Sequence, residues 1–348
     1  MDQLAESKEL DQELDVILGN GQKDSNGEGN QGRRLNSGEF ASSWYTQMMT
    51  LLKRDFQRHW RDPIYLMNKL MLNIIGGVFM GFTFFQAKNT LQGTQNKVFA
   101  TFMAFILSAP SAIRSTSLSS RLALIAETVF NVIGSSVFFV IWYWIVGLPT
   151  DRAGYSYLMM GFTFPFFYTS FVLSLAAMAP SSLIASLLYF GLFTFAVTFT
   201  GIIQPYRRLG WWKWMYRVSP FTYLVEGFAG QAVGHAELTC SSVELVPIIP
   251  PSGMSCHQYL DPFIQNVGGY LADSSDDSSC LYCAARTTDE FLAANLNVQY
   301  SHHWRDLGVV WGYVVFNVAA VFLLTYFFRI RRTGLRGLFG GRDALSND

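Results

Sequence analysis

Long apolar segments alternate with short polar ones along this chain, in a pattern typical of membrane-spanning helices. A helix needs about 20 mostly apolar residues to cross the hydrocarbon layer. Segments of this length lie at 64–85, 122–148, 155–179, 183–203 and 307–328. A further segment, 98–110, is too short to cross cleanly. The pattern therefore predicts an all-α membrane protein with five clear spans and one doubtful one.

Basic residues at both ends of this array set its predicted orientation. Lysines and arginines near span ends mark the cytoplasmic side. One cluster precedes the first span and another follows the last: Lys53, Arg54, Arg58, Arg61, Arg329, Arg331, Arg332, Arg336 and Arg342. Only an even number of crossings puts both clusters on one side. We therefore predict six spans, the second shortened, and expect the lone Lys69 in the first span to snorkel to the interface.

Polar and amphipathic segments precede the first span. Residues 1–39 are polar and predict a cytoplasmic tail. Within it, 1–18 has the spacing of a short acidic helix, and 19–38 is rich in Gly, Asn, Ser and Gln and predicts a flexible linker. In 40–63, Trp44, Met48 and Phe56 recur at helical spacing opposite basic residues. This favours an amphipathic helix in the headgroup layer over a plain connector.

Aromatic and basic residues are mixed in the stretch that follows the fifth span. It contains Trp211, Trp212, Trp214 and Tyr216 among arginines and a lysine. Such mixing can indicate nucleic-acid stacking, but next to a span it favours an interfacial aromatic belt. The apolar residues 221–232 are too few to span and predict a re-entrant helix pair.

All four cysteines lie in a polar segment, 235–306, which the six-span topology places outside the cell: Cys240, Cys256, Cys280 and Cys283. An even number of cysteines in an oxidising compartment favours two disulfides, and three pairings remain open. The alternative is a zinc site, because Cys280 and Cys283 form a CxxC pair near several histidines.

Composition narrows the class of protein. Half of the residues, 50%, are hydrophobic, only 14% are charged, and the net charge is zero. These values argue against a soluble domain, a disordered chain and a basic nucleic-acid binder. The sequence contains no GxxxxGK[ST], HExxH or GxSxG motif. It therefore predicts no catalytic residue, no metal site and no cofactor bound by these residues.

Several residues inside the spans are candidates for chemistry or packing. Glu127 in the third span favours a structural pairing, with Arg121 or a neighbouring group, over a proton relay. Gly77 and Gly81 form a small-xxx-small pattern that predicts close helix packing. Aromatic walls with a few hydroxyls suit flat apolar ligands, so a substrate path is predicted at Phe193, Phe195, Thr198 and Phe199. Lipid contact or core packing is the alternative for each of these side chains.

Five sequence patches occur in an order that resembles one family. They are GFTFFQAKNTLQGTQNKVFATFMA (81–104), MYRVSPFTYLVEG (215–227), PPSGMSC (250–256), GYLADSSDDSSCLYC (269–283) and YSHHWRDLG (300–308). The chain resembles the second transmembrane half of fungal pleiotropic-drug-resistance (PDR/CDR, G-type) ABC transporters, in truncated form.

This resemblance implies an ABC-2 type bundle with an amphipathic connecting helix and a disulfide-bonded extracellular loop. It divides the chain into a tail that follows a nucleotide-binding domain (1–39), the connecting helix (40–63), the ABC-2 region (64–234), the cysteine-containing loop (235–306) and a last span with a basic tail (307–348). Structural or gating roles are implied for Glu127, Asn131, Tyr216, Arg217 and Pro220.

The resemblance also implies a function. The family exports apolar drugs, toxins or lipids across the plasma membrane, using ATP and Mg²⁺ held by nucleotide-binding domains outside these residues. The expected partners are the lipid bilayer, those domains, the other transmembrane half and hydrophobic small molecules, but not nucleic acid.

Two departures from the family favour a second interpretation. The cytoplasmic connection between the second and third spans is shortened by roughly two dozen residues, and Val129 stands where the family has proline. The chain also contains no nucleotide-binding domain and no first membrane half. The alternative is therefore a truncated relic that does not transport, or a regulatory membrane partner of a full-length transporter. An independent channel would need an intramembrane charge chain or an inverted repeat, and neither is evident.

Overall fold

The computed structural model describes residues 44–108, 123–179, 181–272 and 279–327. The chain divides into two compact units, Met1–Met48 and Met49–Asp348, and only the start of α1 is described in the first. The helices are α1 (Trp44–Arg61), α2 (Pro63–Thr83), α3 (Leu91–Ser108), α4 (Ala123–Val146), α5 (Ala153–Tyr157), α6 (Phe164–Met178), α7 (Ser182–Thr198), α8 (Lys213–Val218), α9 (Pro220–Val233), α10 (Cys256–Val267), α11 (Thr288–Leu296) and α12 (His303–Thr325).

The break between α1 and α2 follows from Asp62 and Pro63. The Asp62 carboxylate accepts a hydrogen bond from the Tyr65 backbone N–H (3.1 Å), and Pro63 occupies the first turn of α2. Both features are favourable at a helix start, because the first N–H groups have no partner within the helix. The amphipathic segment and the first span are therefore separate helices, as the sequence predicts.

Four helical segments in the described part are long and apolar enough to cross a membrane: Pro63–Thr83, Glu127–Val146, Thr150–Met178 and Tyr300–Thr325. They correspond to the first, third, fourth and last predicted spans, and the all-α membrane fold is confirmed. The fifth predicted span is shorter than expected, since its helix ends at Thr198. The doubtful second span belongs to α3, which begins at Leu91 rather than at residue 98.

The fourth span is helical throughout but irregular. From Thr150 it passes through a 3₁₀ turn and α5, then the π-helix Leu158–Thr163, and finally α6. A Cβ at Gly161 would lie 2.6 Å from the Tyr157 ring, so the wide turn requires glycine there. The π-turn leads directly into Phe164, a fully buried member of the bundle core.

Close packing joins α2 to α4. A Cβ at Gly81 would lie 2.8 Å from the Ile145 Cβ, and one at Gly77 would lie 3.3 Å from the Phe138 carbonyl oxygen. The predicted small-xxx-small contact is thus confirmed: these glycines allow the two helices to approach.

Helix α9 lies in the centre of the bundle. Nearly all of its side chains are buried, and it contacts α3, α7 and α12. The helix pair predicted for 221–232 is wrong, because these residues form one continuous helix, Pro220–Val233. A re-entrant segment must be covered by protein at membrane depth, and the burial of α9 agrees with that requirement, but its re-entrant position stays a prediction.

The cysteine-containing segment forms a small disulfide-bonded unit. Strands β1 (Val246–Ile248) and β2 (Tyr270–Leu271) both pair antiparallel with β3 (Cys280–Cys283). The disulfides are nested, Cys240–Cys283 around Cys256–Cys280. The prediction of two disulfides is confirmed. The zinc alternative is wrong, because both cysteines of the CxxC pair are bonded to other cysteines.

Glu244 attaches this disulfide-bonded segment to the start of α3. Its carboxylate accepts hydrogen bonds from the backbone N–H groups of Gln92 (2.7 Å) and Ser241 (2.8 Å). The Thr239 N–H also donates to the Asn89 carbonyl oxygen (3.0 Å). Burial alone would raise the pKa of Glu244, but the hydrogen bonds outweigh burial and hold the pKa of this carboxyl below its usual value. A carboxylate at a helix N-terminus is also favoured by the helix dipole.

We expect Glu244→Gln to loosen this attachment. A carboxyl whose pKa is lowered by folding contributes stability that is present above its ordinary pKa and is lost as the pH falls through the lowered value. Limited proteolysis of the disulfide-bonded segment should therefore be a few-fold faster in Glu244→Gln at neutral pH. The difference from the unaltered protein should shrink on acidification. Glu237→Gln, at an exposed position of the same segment, is the matched control. Equal rates in the two variants would contradict the assigned role.

Candidate functional site: buried charge clusters and an apolar groove

A buried ion pair joins α2 to α4. The Lys69 Nζ lies 3.4 Å from the Glu127 Oε2, and each side chain is 3% exposed. The Tyr65 hydroxyl donates to the same oxygen (3.1 Å) and accepts from the Lys69 ammonium (3.1 Å). The expectation that Lys69 snorkels to the interface is wrong, because the side chain turns inward to Glu127. Arg121, the partner expected for Glu127, lies outside the described residues.

A layer of amides continues the polar contacts. The Asn131 side-chain amide donates to the Thr169 hydroxyl (2.8 Å), linking α4 to α6. The Asn73 side-chain amide donates to the Lys69 carbonyl oxygen (2.8 Å), and a Cβ at Gly134 would lie 2.9 Å from the Asn73 amide nitrogen. Glu127 and Asn131 thus lie in a polar layer through α2, α4 and α6. Their structural or gating role stays a prediction.

A second charge cluster lies where α9 meets the start of α12. The Arg305 guanidinium donates to Glu226 (3.2 Å) and to Asp306 (2.8 Å), and the His302 Nδ1 lies 2.9 Å from the Glu226 carboxylate. Asp306 is fully buried and the Glu226 side chain is 6% exposed. This cluster was not predicted from the sequence. The signal was present, because Glu226 interrupts the apolar stretch of α9 and Asp306 opens an apolar helix.

The other three candidate gating residues lie around the α8–α9 junction and do not converge on one site. Tyr216 is buried, its ring packs 4.8 Å from the Tyr206 ring, and burial raises the pKa of Tyr216 to about 12. Arg217 has an exposed side chain. Pro220 occupies the first turn of α9, where its fixed backbone angle favours helix initiation. The positions fit a rigid junction, and gating there stays a prediction.

The predicted substrate path on α7 is divided between two faces. Phe193 faces the bundle, where its ring contacts Tyr189 (5.4 Å) and Phe221 (5.1 Å). Phe195 is 42% exposed, and its ring contacts Phe199 (5.1 Å). The Thr198 hydroxyl donates to a carbonyl oxygen of its own helix. These four residues therefore do not form one continuous wall, and their contact with a substrate stays a prediction.

An apolar groove opens between α4, the π-turn, α6 and α12, with a volume of about 380 Å³. The Ser170 hydroxyl donates to the Phe167 carbonyl oxygen (2.9 Å) and so presents little polarity to the groove. Val129, at the position of the family proline, is 42% exposed there. The groove is lined by Thr128, Val129, Val132, Ile133, Phe162, Phe166, Ser170, Val314 and Val318. Such a lining suits apolar molecules.

Comparison with known families gives two matches along the chain. Residues 46–123 and 120–231 match the ABC-2 type transporter family, and residues 285–342 match the CDR ABC transporter family. The ABC-2 match falls into two parts that meet at residues 120–123.

Curated relatives are fungal transporters. The Brefeldin A resistance protein of Schizosaccharomyces pombe is 36% identical over 324 residues, covering 84% of this chain and 21% of that protein. The ABC multidrug transporter AFR2 of Cryptococcus neoformans is 32% identical, covering 85% and 21%. The ATP-dependent permease PDR11 of Saccharomyces cerevisiae is 33% identical, covering 85% and 23%. The chain thus spans about a fifth of the length of these relatives. It is a multi-pass membrane protein that belongs to the ABC-2 type transporter family and carries the CDR ABC transporter region at its end.

Proposed function

We propose that this chain is the membrane domain of an exporter that moves apolar drugs, toxins or lipids across the plasma membrane. Nucleotide-binding domains holding ATP and Mg²⁺ supply the energy, since no residues here form a P-loop. The chain works with those domains and a second membrane half. The family match and the relatives, which include an ABC multidrug transporter, support the proposal.

The apolar groove is the observation that supports apolar compounds as the substrates. Its lining is almost entirely carbon, and its two hydroxyl-bearing side chains lie on α4 and α6. A volume of about 380 Å³ falls within the range of small-molecule sites. Apolar compounds partition into the membrane, so a groove on a membrane helix bundle can receive them from the lipid. The disulfide-bonded segment faces the outside in this proposal, because disulfides persist in oxidising compartments.

Val318→Trp tests the groove. The larger ring should fill part of it and reduce efflux of a bulky hydrophobic dye several-fold, because the dye loses contact area. Val315→Trp is the matched control, since Val315 lies on the same helix, is 66% exposed and does not line the groove. The measurement is dye efflux from cells that express each variant at equal levels together with ABC nucleotide-binding domains and a second membrane half. Equal efflux by both variants would show that the groove does not lie on the transport path.

A second candidate function is supported by the divided family match. The two matched parts overlap at residues 120–123, beside the place where the sequence predicts a shortened connection between the second and third spans. A membrane domain without that connection would couple poorly to ATP hydrolysis. It would then act as a regulatory partner of a full-length transporter, or would not transport at all. Sequencing the transcript across the codons for residues 109–121 separates the two candidates, because a longer transcript would restore the connection.

A further inference from the structure

A cleft of about 550 Å³ lies beside the end of α7, between α3, the segment 202–208 and α11 of the disulfide-bonded segment. Its walls are of two kinds. Val98, Phe99 and Ile202 contribute an apolar floor, and the guanidinium-bearing Arg207 and Arg208 line the same cleft. The other lining residues are Gln95, Pro205, Phe291, Ala294, Asn295 and Leu296, so the lining contains no carboxylate. The cleft is therefore amphipathic and positively charged.

Arg207 and Arg208 are exposed and have no ion-pair partner among the described residues. The surrounding stretch 201–218 adds Lys213 and Arg217 and contains no acidic residue. In the proposed orientation these cations lie on the outer side, against the usual bias of basic residues toward the cytoplasm. A guanidinium group binds phosphate oxygens through paired hydrogen bonds. Two unpaired guanidinium groups on one cleft thus favour a phosphate-bearing ligand.

Three exposed tryptophans that follow the arginines in the sequence favour a position for the cleft at the depth of lipid headgroups. Trp211, Trp212 and Trp214 lie three, four and six residues after Arg208, and their exposed fractions are 75%, 46% and 47%. Neighbouring rings lie 5.2 to 6.4 Å apart. Exposed indoles of this kind concentrate at the membrane–water interface, because one part of the ring is apolar and the other donates a hydrogen bond. A ligand that reaches the cleft at this depth is a membrane lipid rather than a solute.

We propose that this cleft binds a phospholipid, with its phosphate on Arg207 and Arg208 and the start of its acyl chains on Phe99 and Ile202. The site is separate from the apolar groove, which involves neither α3 nor the segment 202–208. Its occupation does not depend on the proposed export activity.

Lipid titration of the purified chain, followed by native mass spectrometry, tests the proposal with dioleoyl phosphatidylglycerol as the probe. Removing charge-assisted hydrogen bonds in Arg207→Ala/Arg208→Ala should weaken binding about tenfold or more. Lys213→Ala/Arg217→Ala removes the same charge from the same stretch but not from the cleft, and should change binding less than about threefold. Phe99→Gln should also weaken binding, through the apolar floor.

Two competitors distinguish the source of the phosphate. Dioleoylglycerol has the chains without phosphate, and glycerol 3-phosphate has the phosphate without chains. Neither should displace the probe. If the two double variants weaken lipid binding equally, the proposed site is wrong, and the lipid is attracted by diffuse surface charge. Displacement by glycerol 3-phosphate would contradict a lipid site and indicate a site for soluble phosphates. Displacement by dioleoylglycerol would show that the arginines do not contribute to binding through the phosphate. Unaltered unfolding temperatures of the variants confirm that each is folded.

Discussion

Lys69→Ala should destabilise the protein by about 3–5 kcal/mol, the largest effect that we expect from a single substitution. The change leaves the Glu127 carboxylate buried without its ammonium partner, with the side chain only 3% exposed. A buried charge that loses its partner retains the full cost of its removal from water. The free energy of unfolding in detergent micelles, followed by tryptophan fluorescence, measures the effect.

A double substitution distinguishes the contribution of the ion pair from the cost of leaving one buried charge without a partner. Replacing both partners, in Lys69→Met/Glu127→Leu, should cost much less than the sum of the single changes, because apolar side chains of similar size need no partner. Lys88→Ala is the matched control, since Lys88 lies in the exposed turn after α2. If Lys69→Ala and Lys88→Ala have similar effects, the pair does not hold α2 to α4.

Removing the Cys240–Cys283 disulfide should destabilise the disulfide-bonded segment by about 4 kcal/mol. The bond closes a loop with a sequence separation of 43, and a cross-link stabilises mainly by restricting the unfolded chain. The inner bond, Cys256–Cys280, has a separation of 24, so its removal should cost about half a kcal/mol less. Limited proteolysis over a denaturant series, in Cys240→Ser/Cys283→Ser and Cys256→Ser/Cys280→Ser, compares the two bonds.

The spans should be insensitive to both changes, because the disulfides lie within 236–305. Digestion of the unreduced protein should give the two cross-linked peptide pairs of the nested pattern. Any other pairing, or four free thiols, would contradict the disulfide-bonded segment described here.

Sequence patterns anticipated the parts of this fold that depend on local properties. The apolar stretches that became α2, α4, the broken fourth span and α12 are long enough to cross a membrane. The start of α3 was missed because its first two turns are polar. Those turns are stabilised in part by a distant group, because the Glu244 carboxylate accepts a hydrogen bond from the Gln92 N–H (2.7 Å). The Lys97 ammonium adds a local hydrogen bond to Asn89 (2.7 Å). Contacts with residues about 150 positions away leave no local signature.

Pairings across the fold could not be obtained from the sequence for a related reason. Lys69 and Glu127 are 58 residues apart, and no pattern fixes the rotation of α2 against α4. The same holds for the cysteines, whose spacing allows three pairings, whereas the folded segment brings Cys240 to Cys283 and Cys256 to Cys280. Glu226 was visible as a charge in an apolar helix, but Arg305 and His302 become its partners only when α9 packs on α12.

The most direct test of the proposed function is dye uptake into inside-out membrane vesicles. The vesicles would come from a fungal strain without its own drug-efflux pumps and would contain this chain and a second ABC membrane half, with or without ABC nucleotide-binding domains. We predict ATP-dependent uptake of a hydrophobic dye only when the chain and those domains are present together. ATP-dependent uptake by the chain alone, or no uptake with the domains present and both disulfides intact, would contradict a membrane domain that exports apolar compounds with energy from nucleotide-binding domains.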